Sequence, residues 1–332
     1  MALGLVASVR AWLPIRSLGA VNVYVHPAGD GGVHLVDSGI YSARSIHDIV
    51  RGVRALGLDP RRVERIVATH FHVDHLTGAA LIAEATGAEV LLGRRDLEVA
   101  LAGGDPGEFI DAAIKLFVEH GMPRGEAEEI RGSHPALRAV EAYRALSRLD
   151  IKPLAEGDTV RLGETRYRVL EMPGHTPGHI ILVAEEEAYA IVGDLILQGI
   201  TPHVTLHNPQ TDPLGDYLSS LERLAALNLK LALPGHREPI HEPASRAMEI
   251  LRHHQERLEE IIRLLQARGP QTGYQVARQV RWRVRYKSWE EYPPPERFFA
   301  MGEALAHLRR LEATGRVEQV ERSGATLWRA AG

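Results

Sequence analysis

The chain of 332 residues contains no cysteine, and only 5% of its residues are aromatic. The absence of cysteine excludes disulfide bonds, thiolate-bound zinc and a cysteine nucleophile. Any metal ion must therefore be bound by histidine and carboxylate groups, which suit zinc, iron or manganese. The sequence also lacks any run approaching the roughly 18 apolar residues of a membrane-spanning helix. We therefore expect no interaction with a membrane.

The start of the sequence does not predict a secretory signal peptide. The first 19 residues, MALGLVASVRAWLPIRSLG, have an apolar patch that Arg10, Pro14 and Arg16 interrupt, without a basic segment before it. A signal peptide needs that basic segment and a continuous apolar stretch. A cytoplasmic location is therefore expected.

Apolar periodicity predicts an α/β fold with mixed sheets. Short runs rich in Val, Ile and Leu alternate with helical patterns, and several pairs of runs are joined by hairpin turns. From Asp96 to Asp150 the pattern is helical and is broken by glycine and proline, which indicates a helical insertion at about 96–150. The length and the patterning predict a large domain over 1–244 and a smaller domain over 245–332.

The stretch VATHFHVDHLTG, from Val67 to Gly78, holds an unusual concentration of metal-ligating side chains directly after an apolar strand. Its candidate ligands are His70, His72, Asp74 and His75. A loop that leaves a strand can turn several side chains toward one point, whereas a strand would alternate them. Four such groups exceed what one four-coordinate catalytic ion uses, so the run predicts two ions. Surface histidines on a turn are the alternative.

Three further polar residues stand alone at the ends of later apolar strands. They are His175 in EMPGHTPGH, Asp194 in AIVGDLI and His236 in ALPGHRE. Each follows a glycine, which lets the backbone turn sharply where a strand ends. Ligands of α/β sheets gather at strand ends, so these residues are candidates to complete the metal site.

Taken in order, THFHVDH, PGHTPGH, VGD and PGH resemble the motifs of the metallo-β-lactamase superfamily of binuclear metallohydrolases, over about Leu18 to Glu242. The resemblance implies a four-layer αββα sandwich with two divalent ions at one edge, expected to be zinc, with iron or manganese as alternatives. It implies that the first ion is bound by His70, His72 and His175. It likewise implies that the second ion is bound by Asp74, His75 and His236, and that Asp194 bridges both.

Other residues are expected to surround the ligands. Asp37, in LVDSG, matches the family's early strand-end aspartate, which supports the metal site from behind the ligands. His179 is interpreted as a residue that fixes its loop, with substrate contact as the alternative. Tyr41, His203 and His207 are candidates for the substrate pocket, although solvated loop histidines would give the same pattern.

The resemblance implies that a hydroxide shared by two ions attacks a thioester, ester or lactone carbonyl of a small molecule. Asp74 would orient that hydroxide or accept its proton, which makes it the candidate catalytic residue. PGHTPGH resembles hydroxyacylglutathione hydrolase in particular. A phosphodiesterase or endoribonuclease using the same site is the main alternative. A true β-lactamase and a non-catalytic ligand sensor are further alternatives.

The C-terminal residues predict three helices followed by a β-hairpin that turns at Ser323-Gly324. This order resembles the winged-helix domain attached to some relatives, including a group with endoribonuclease activity. From residue 245 onward, 16 Lys and Arg face 11 Asp and Glu, and RQVRWRVRYK is basic and aromatic. Trp282, Val284 and Tyr286 also alternate with arginine, as in a half-buried edge. We favour packing on the catalytic domain or in a homo-oligomer over nucleic-acid binding.

Overall fold

The computed structural model describes residues 6–14, 18–102, 106–134, 137, 139–282, 286–322 and 324–331. Within these ranges, no helix combines the length and the apolar character needed to cross a membrane. The chain forms two compact units. The first contains residues 1–104, 139–202 and 220–248, and the second contains 105–138, 203–219 and 249–332.

The first unit contains a six-stranded sheet whose strands lie side by side in chain order. They are β1 (Ala7–Trp12), β2 (Ala20–Pro27), β3 (Val33–Val36), β4 (Val63–Ala68), β5 (Glu89–Gly93) and β6 (Lys152–Leu154). The first three strands pair antiparallel, and β3 to β6 pair parallel. The sheet is therefore mixed, as the sequence predicts, and the carboxyl ends of β3, β4 and β5 share one edge.

A second sheet has the spatial order β11-β10-β9-β8-β7. Its strands are β7 (Thr159–Leu162), β8 (Thr165–Glu171), β9 (Ile180–Ala184), β10 (Tyr189–Gly193) and β11 (Leu231–Pro234). The predicted hairpins β7–β8 and β9–β10 are present, and β11 joins parallel to β10. Strands β8 and β9 also pair antiparallel, so the segment that links them, residues 172–179, lies at one end of these two strands.

The two sheets pack face to face through one apolar core. Val67 and Leu91 of the first sheet lie in the same buried cluster as Val169, Leu182 and Ile191 of the second. Burial of this kind stabilises a fold by roughly 25 cal/mol for each Å² of apolar surface. The predicted α/β fold with mixed sheets is confirmed.

Helices α1, α3 and α4 pack against strands of the first sheet. In α1, Ile49 and Val53 are buried, and the Ser42 side chain caps the first turn by accepting a hydrogen bond from the Ser45 amide. The helices up to residue 226 are α1 (Ala43–Ala55), α2 (Val73–Leu76), α3 (Gly78–Thr86), α4 (Arg94–Ala102), α5 (Pro106–Glu119), α6 (Arg124–Ser133), α7 (Val140–Leu146) and α8 (Pro213–Ala226). Helices α4 to α7 lie in the segment predicted as a helical insertion, at about 96–150.

The second unit combines segments that are far apart in the chain. Its C-terminal part contains α9 (Pro243–Arg268, which starts in the first unit), β12 (Gln271–Thr272), α10 (Gly273–Gln279), α11 (Pro294–Ala313), β13 (Val317–Arg322) and β14 (Ala325–Ala330). The predicted helices and hairpin are present, and β12 adds a third strand beside β14. Val284 and Ser323, named in the predicted edge and turn, lie outside the described residues. The winged-helix interpretation stays a prediction.

Residues 105–138 pack with this C-terminal part. The Trp328 indole donates to His120 Nδ1 at 3.1 Å, and the Trp289 indole donates to Glu126 at 2.7 Å. Tyr274 also donates to Glu126, at 2.6 Å. The sequence pattern assigns residues 105–138 to an insertion of the first domain, and it gives no sign of these partners.

Candidate metal centre

The ligand-rich stretch lies at the carboxyl end of β4. His70 and His72 are in the loop that leaves this strand, and Asp74 and His75 lie on the one-turn helix α2. Because the backbone changes from strand to loop to helix here, the side chains of these four residues point toward one place. The structure therefore brings together residues that a continuous strand would separate.

Seven side chains, six of them buried and His72 half-buried, form a group that we call the ligand cluster. Its members are His70, His72, Asp74, His75, His175, Asp194 and His236. Within it, ligand atoms of His70, His72 and His175 all lie within 4.8 Å of one another. His70 Nε2 and His72 Nδ1 are 3.1 Å apart. This trio is the set expected to bind the first ion.

A second trio consists of Asp74, His75 and His236, whose ligand atoms also lie within 4.8 Å of one another. His236 Nε2 is 3.2 Å from Asp74 Oδ2 and 3.3 Å from His75 Nε2. Asp194 contacts both trios, with Oδ2 at 3.8 Å from His175 Nε2 and 3.6 Å from His236 Nε2. Its position between the two trios is the one expected of a bridging carboxylate.

Asp37 holds His75 from behind. Its Oδ2 accepts the Nδ1–H of His75 at 2.7 Å, and its Oδ1 accepts the Thr69 amide at 2.8 Å. Asp37 has a φ of 61°, in the left-handed region that non-glycine residues seldom adopt. The bond to Nδ1 directs His75 Nε2 toward the cluster, which is the arrangement typical of a metal-binding histidine.

His236 and Asp194 are oriented by similar contacts. His236 Nδ1 donates to the Ala20 carbonyl at 2.8 Å, which leaves Nε2 for the cluster. The Asp194 amide donates to His179 Nε2 at 3.1 Å, so His179 fixes the backbone of the central carboxylate. Such a contact is expected of a residue that fixes its loop, and it involves no substrate.

The glycines before Asp194 and His236 are needed for close approach. A Cβ on Gly193 would lie 2.7 Å from Thr69 Oγ1 and 2.8 Å from His179 Nε2, and its φ is 49°. A Cβ on Gly235 would lie 2.5 Å from Asp194 Oδ1. A larger residue at position 235 would therefore push into the ligand cluster, and one at position 193 would push into Thr69 and His179 beside it.

Asp96 is a structural residue of this site that the sequence pattern did not reveal. Its buried carboxylate accepts hydrogen bonds from Phe71 N at 2.9 Å, Thr176 Oγ1 at 2.7 Å and Gly178 N at 2.5 Å. Phe71 lies between His70 and His72, and Thr176 follows His175. Asp96 thus joins the two loops that carry the first trio. Burial raises its pKa to about 7, although the three donors oppose this rise.

The ligand cluster suits a metal ion by its charge and its free donor atoms. Asp194 Oδ1 is buried and makes no hydrogen bond within the described ranges. Burial, and then the neighbouring histidines, lower the pKa of His70 far below its ordinary value, so its ring is neutral. Neutral imidazoles and carboxylates are the ligands that zinc, iron and manganese accept.

Metal binding to the metal-free chain is expected to release about one proton or more at pH 7. Burial disfavours the charged ring of His75, but the carboxylates of Asp37, Asp74 and Asp194 outweigh it and raise its pKa to about 10. A metal ion at Nε2 must displace that proton. The release is measured from calorimetric binding enthalpies in buffers of different ionisation enthalpy. Equal enthalpies in all buffers would contradict the expectation.

The candidate pocket residues are divided between the two units. The Tyr41 side chain belongs to the first unit and is 37% exposed, and its amide donates to Thr77 Oγ1. His203 and His207 belong to the second unit, where the His203 ring is 4.5 Å from that of Phe299. Burial lowers the pKa of His207 to about 3, with a smaller contribution from His134. Their roles toward a substrate stay predictions.

Known proteins share this sequence pattern and this fold. A family model described as the metallo-beta-lactamase superfamily matches residues 16–236. The probable metallo-hydrolase YqjP of Bacillus subtilis is 29% identical, over 93% of this chain and 92% of its own length. A crystal structure of a metallo-beta-lactamase family protein from Thermus thermophilus superposes with a TM-score of 0.81 at 30% identity. That match covers 99% of this chain and all of the other.

A hydroxyacylglutathione hydrolase of Cereibacter sphaeroides is 30% identical over 52% of this chain, which corresponds to 46% of its own length. This match is therefore confined to part of each protein. The family model spans most of the first unit, including every member of the ligand cluster. The chain belongs to the metallo-beta-lactamase superfamily and is a metallohydrolase of that family.

Proposed function

We propose that the chain is a binuclear metallohydrolase that cleaves a thioester, ester or lactone of a small molecule. The observation that carries this proposal is the pair of buried ligand trios with Asp194 between them. His70, His72 and His175 would hold one ion, and Asp74, His75 and His236 the other, with Asp194 shared. Two bound divalent ions would lower the pKa of a shared water and polarise the substrate carbonyl.

The protein's own groups prepare this chemistry. Asp37 and the Ala20 carbonyl fix the rings of His75 and His236, so neither ring needs to reorient when a substrate arrives. Asp74 keeps 7% of its surface exposed, which allows water to reach its carboxylate. The charges of His75 and His236 outweigh its burial and hold its pKa below the ordinary value. We infer that Asp74 orients the attacking water and receives its proton.

Acyl substrates are preferred over phosphodiesters for two reasons. The PGHTPGH loop, in which His179 supports the Asp194 backbone, resembles that of hydroxyacylglutathione hydrolase. A relative with that name matches about half of this chain. The match covers less than half of that relative. The proposal therefore does not include glutathione as the thiol part of the substrate.

A panel of substrates tests the proposal. The purified chain, with its metal content measured, is assayed against a thioester, a lactone, bis-p-nitrophenyl phosphate and a short RNA. We expect turnover of the thioester or the lactone that His72→Ala reduces at least about a hundredfold, because it removes a ligand of the first trio. His241→Ala, which changes an exposed histidine, is the matched control.

Two results would reject the acyl assignment. The first is RNA or phosphodiester cleavage that depends on His72 while the acyl substrates are untouched. The second is the absence of any turnover despite two bound ions, which would favour the ligand-sensor alternative.

A further inference from the structure

A second group of metal-ligating side chains lies in the second unit, between α9 and α11. His253 and His254 are on α9, and Glu303 is on α11. One nitrogen of each histidine and one carboxylate oxygen of Glu303 lie within 4.8 Å of one another. The trios of the ligand cluster meet the same spacing. We call these three residues the α9–α11 cluster.

Hydrogen bonds fix the proton positions on the neighbouring rings. His307 Nδ1 is 2.7 Å from the backbone carbonyl of Glu303, which only accepts, so this nitrogen carries the hydrogen. His307 Nε2 therefore has the lone pair, and His254 Nδ1 donates to it at 3.1 Å. It follows that His254 Nε2 also has an available lone pair.

This lone pair has no protein partner among the described residues. The His254 side chain is fully buried, and its Nε2 makes no hydrogen bond there. A buried acceptor left without a hydrogen bond destabilises the folded chain. A metal-binding histidine characteristically donates its other ring N–H to a fixed acceptor, as His254 does to His307. One ring nitrogen of His254 is thus held by His307, and the other is available to bind a metal ion.

The charges of the group agree with cation binding. Burial, and then the charge of neighbouring groups, lower the pKa of His254 far below its ordinary value, so the ring is neutral. Burial raises the pKa of Glu303 to about 7, with Arg257 opposing the rise. Near neutral pH an arriving cation therefore displaces at most one weakly held proton from the carboxyl group.

Arg257 is the group that would oppose a cation. Its Nη1 is 3.4 Å from Glu303 Oε1, but its guanidinium also lies 4.4 Å from the Trp282 ring centre. Its Nε is 3.7 Å from Glu260 Oε2. These additional partners hold Arg257 on one side of Glu303. Arg257 contacts Glu303 through Oε1, and we infer that the other carboxylate oxygen, Oε2, is the one offered to a cation.

We propose that His253, His254 and Glu303 form a separate binding site for a divalent transition-metal ion such as zinc, which links α9 to α11. Two imidazoles and one carboxylate are a donor set that zinc accepts, with water completing the coordination. Ligand atoms around zinc are at most about 4 Å apart, so the side chains close by up to about 1 Å on binding. The proposal is independent of the proposed hydrolase function.

Metal counting on the full-length chain tests this site. The chain is stripped with a chelator, loaded with zinc and freed of excess, and bound zinc is measured by mass spectrometry. Glu303→Gln and His253→Gln are each expected to bind one zinc ion fewer than the unmodified chain. Both changes preserve side-chain size, and neither residue is fully buried. His241→Ala is expected to keep the full count.

A double variant separates this site from the ligand cluster. His72→Ala reduces zinc at the ligand cluster, and adding Glu303→Gln to it should remove one further ion. Zinc should also raise the melting temperature of His72→Ala more than that of the double variant. Folding is checked by circular dichroism. An unchanged zinc count in the folded Glu303→Gln and His253→Gln variants would overturn the site, whatever the hydrolase assays give.

Discussion

Replacing Asp194 with asparagine is expected to lower kcat/KM on the acyl substrate by about a thousandfold, or roughly 4 kcal/mol of transition-state stabilisation. The Asp194 carboxylate lies 3.8 Å from His175 Nε2 in one trio. It also lies 3.7 Å from His75 Nε2 in the other. Asparagine keeps the shape of the side chain but removes the negative charge that two cations would share.

The measurement combines steady-state kinetics with metal content. The variant should lose bound metal along with activity, while its circular dichroism spectrum stays the same. His241→Ala again serves as the control, because it removes an exposed histidine without changing the ligand cluster. Activity within tenfold of the unmodified chain would mean that Asp194 does not have the bridging role.

Replacing Asp96 with alanine is expected to lower both stability and metal affinity. Phe71 N, Thr176 Oγ1 and Gly178 N would lose their buried acceptor, at about 1–3 kcal/mol for each donor. A loss of about 3 kcal/mol or more in the free energy of unfolding follows. Because the two ligand loops would no longer be joined, metal affinity should fall about 10- to 100-fold.

Urea unfolding and competition with a chelator measure these two effects. Glu98→Ala is a matched control, since Glu98 is a carboxylate on the same helix, α4, that is not buried. A variant that unfolds more easily but binds metal as tightly as before would restrict Asp96 to a role in stability alone.

The ligand cluster could be predicted from the sequence because the residue types alone show the capacity to bind metal. Histidine and aspartate are uncommon at the ends of apolar strands, and a glycine before Asp194 and His236 indicates a sharp turn. The strand pairings β2–β3, β7–β8 and β9–β10 were accessible for a related reason, since a short turn between two apolar runs leaves a hairpin as the simplest structure.

Asp96 was not accessible, because nothing in its local sequence separates it from a surface aspartate in the first turn of a helix. Its three donors come from residues 71, 176 and 178, and only the folded chain brings them together. Very short strands could not be predicted from the sequence for another reason. β12 has two residues and β6 has three, too few to show alternation. Periodicity also reports which face of a helix is apolar without naming the segment that covers it.

The composition of the second unit has a consequence for how the protein is made. Residues 105–138 leave the ribosome long before residues 249–332, yet they belong to the same compact unit. The fully buried Trp328 is synthesised 208 residues after His120, to which it bonds. Until residues 249–332 have been made, apolar side chains such as Phe117, which packs on Phe298, lack part of their final cover. Over this interval the nascent chain exposes these apolar side chains to aggregation and to proteases, and a chain that lacks Trp328 would leave part of them uncovered.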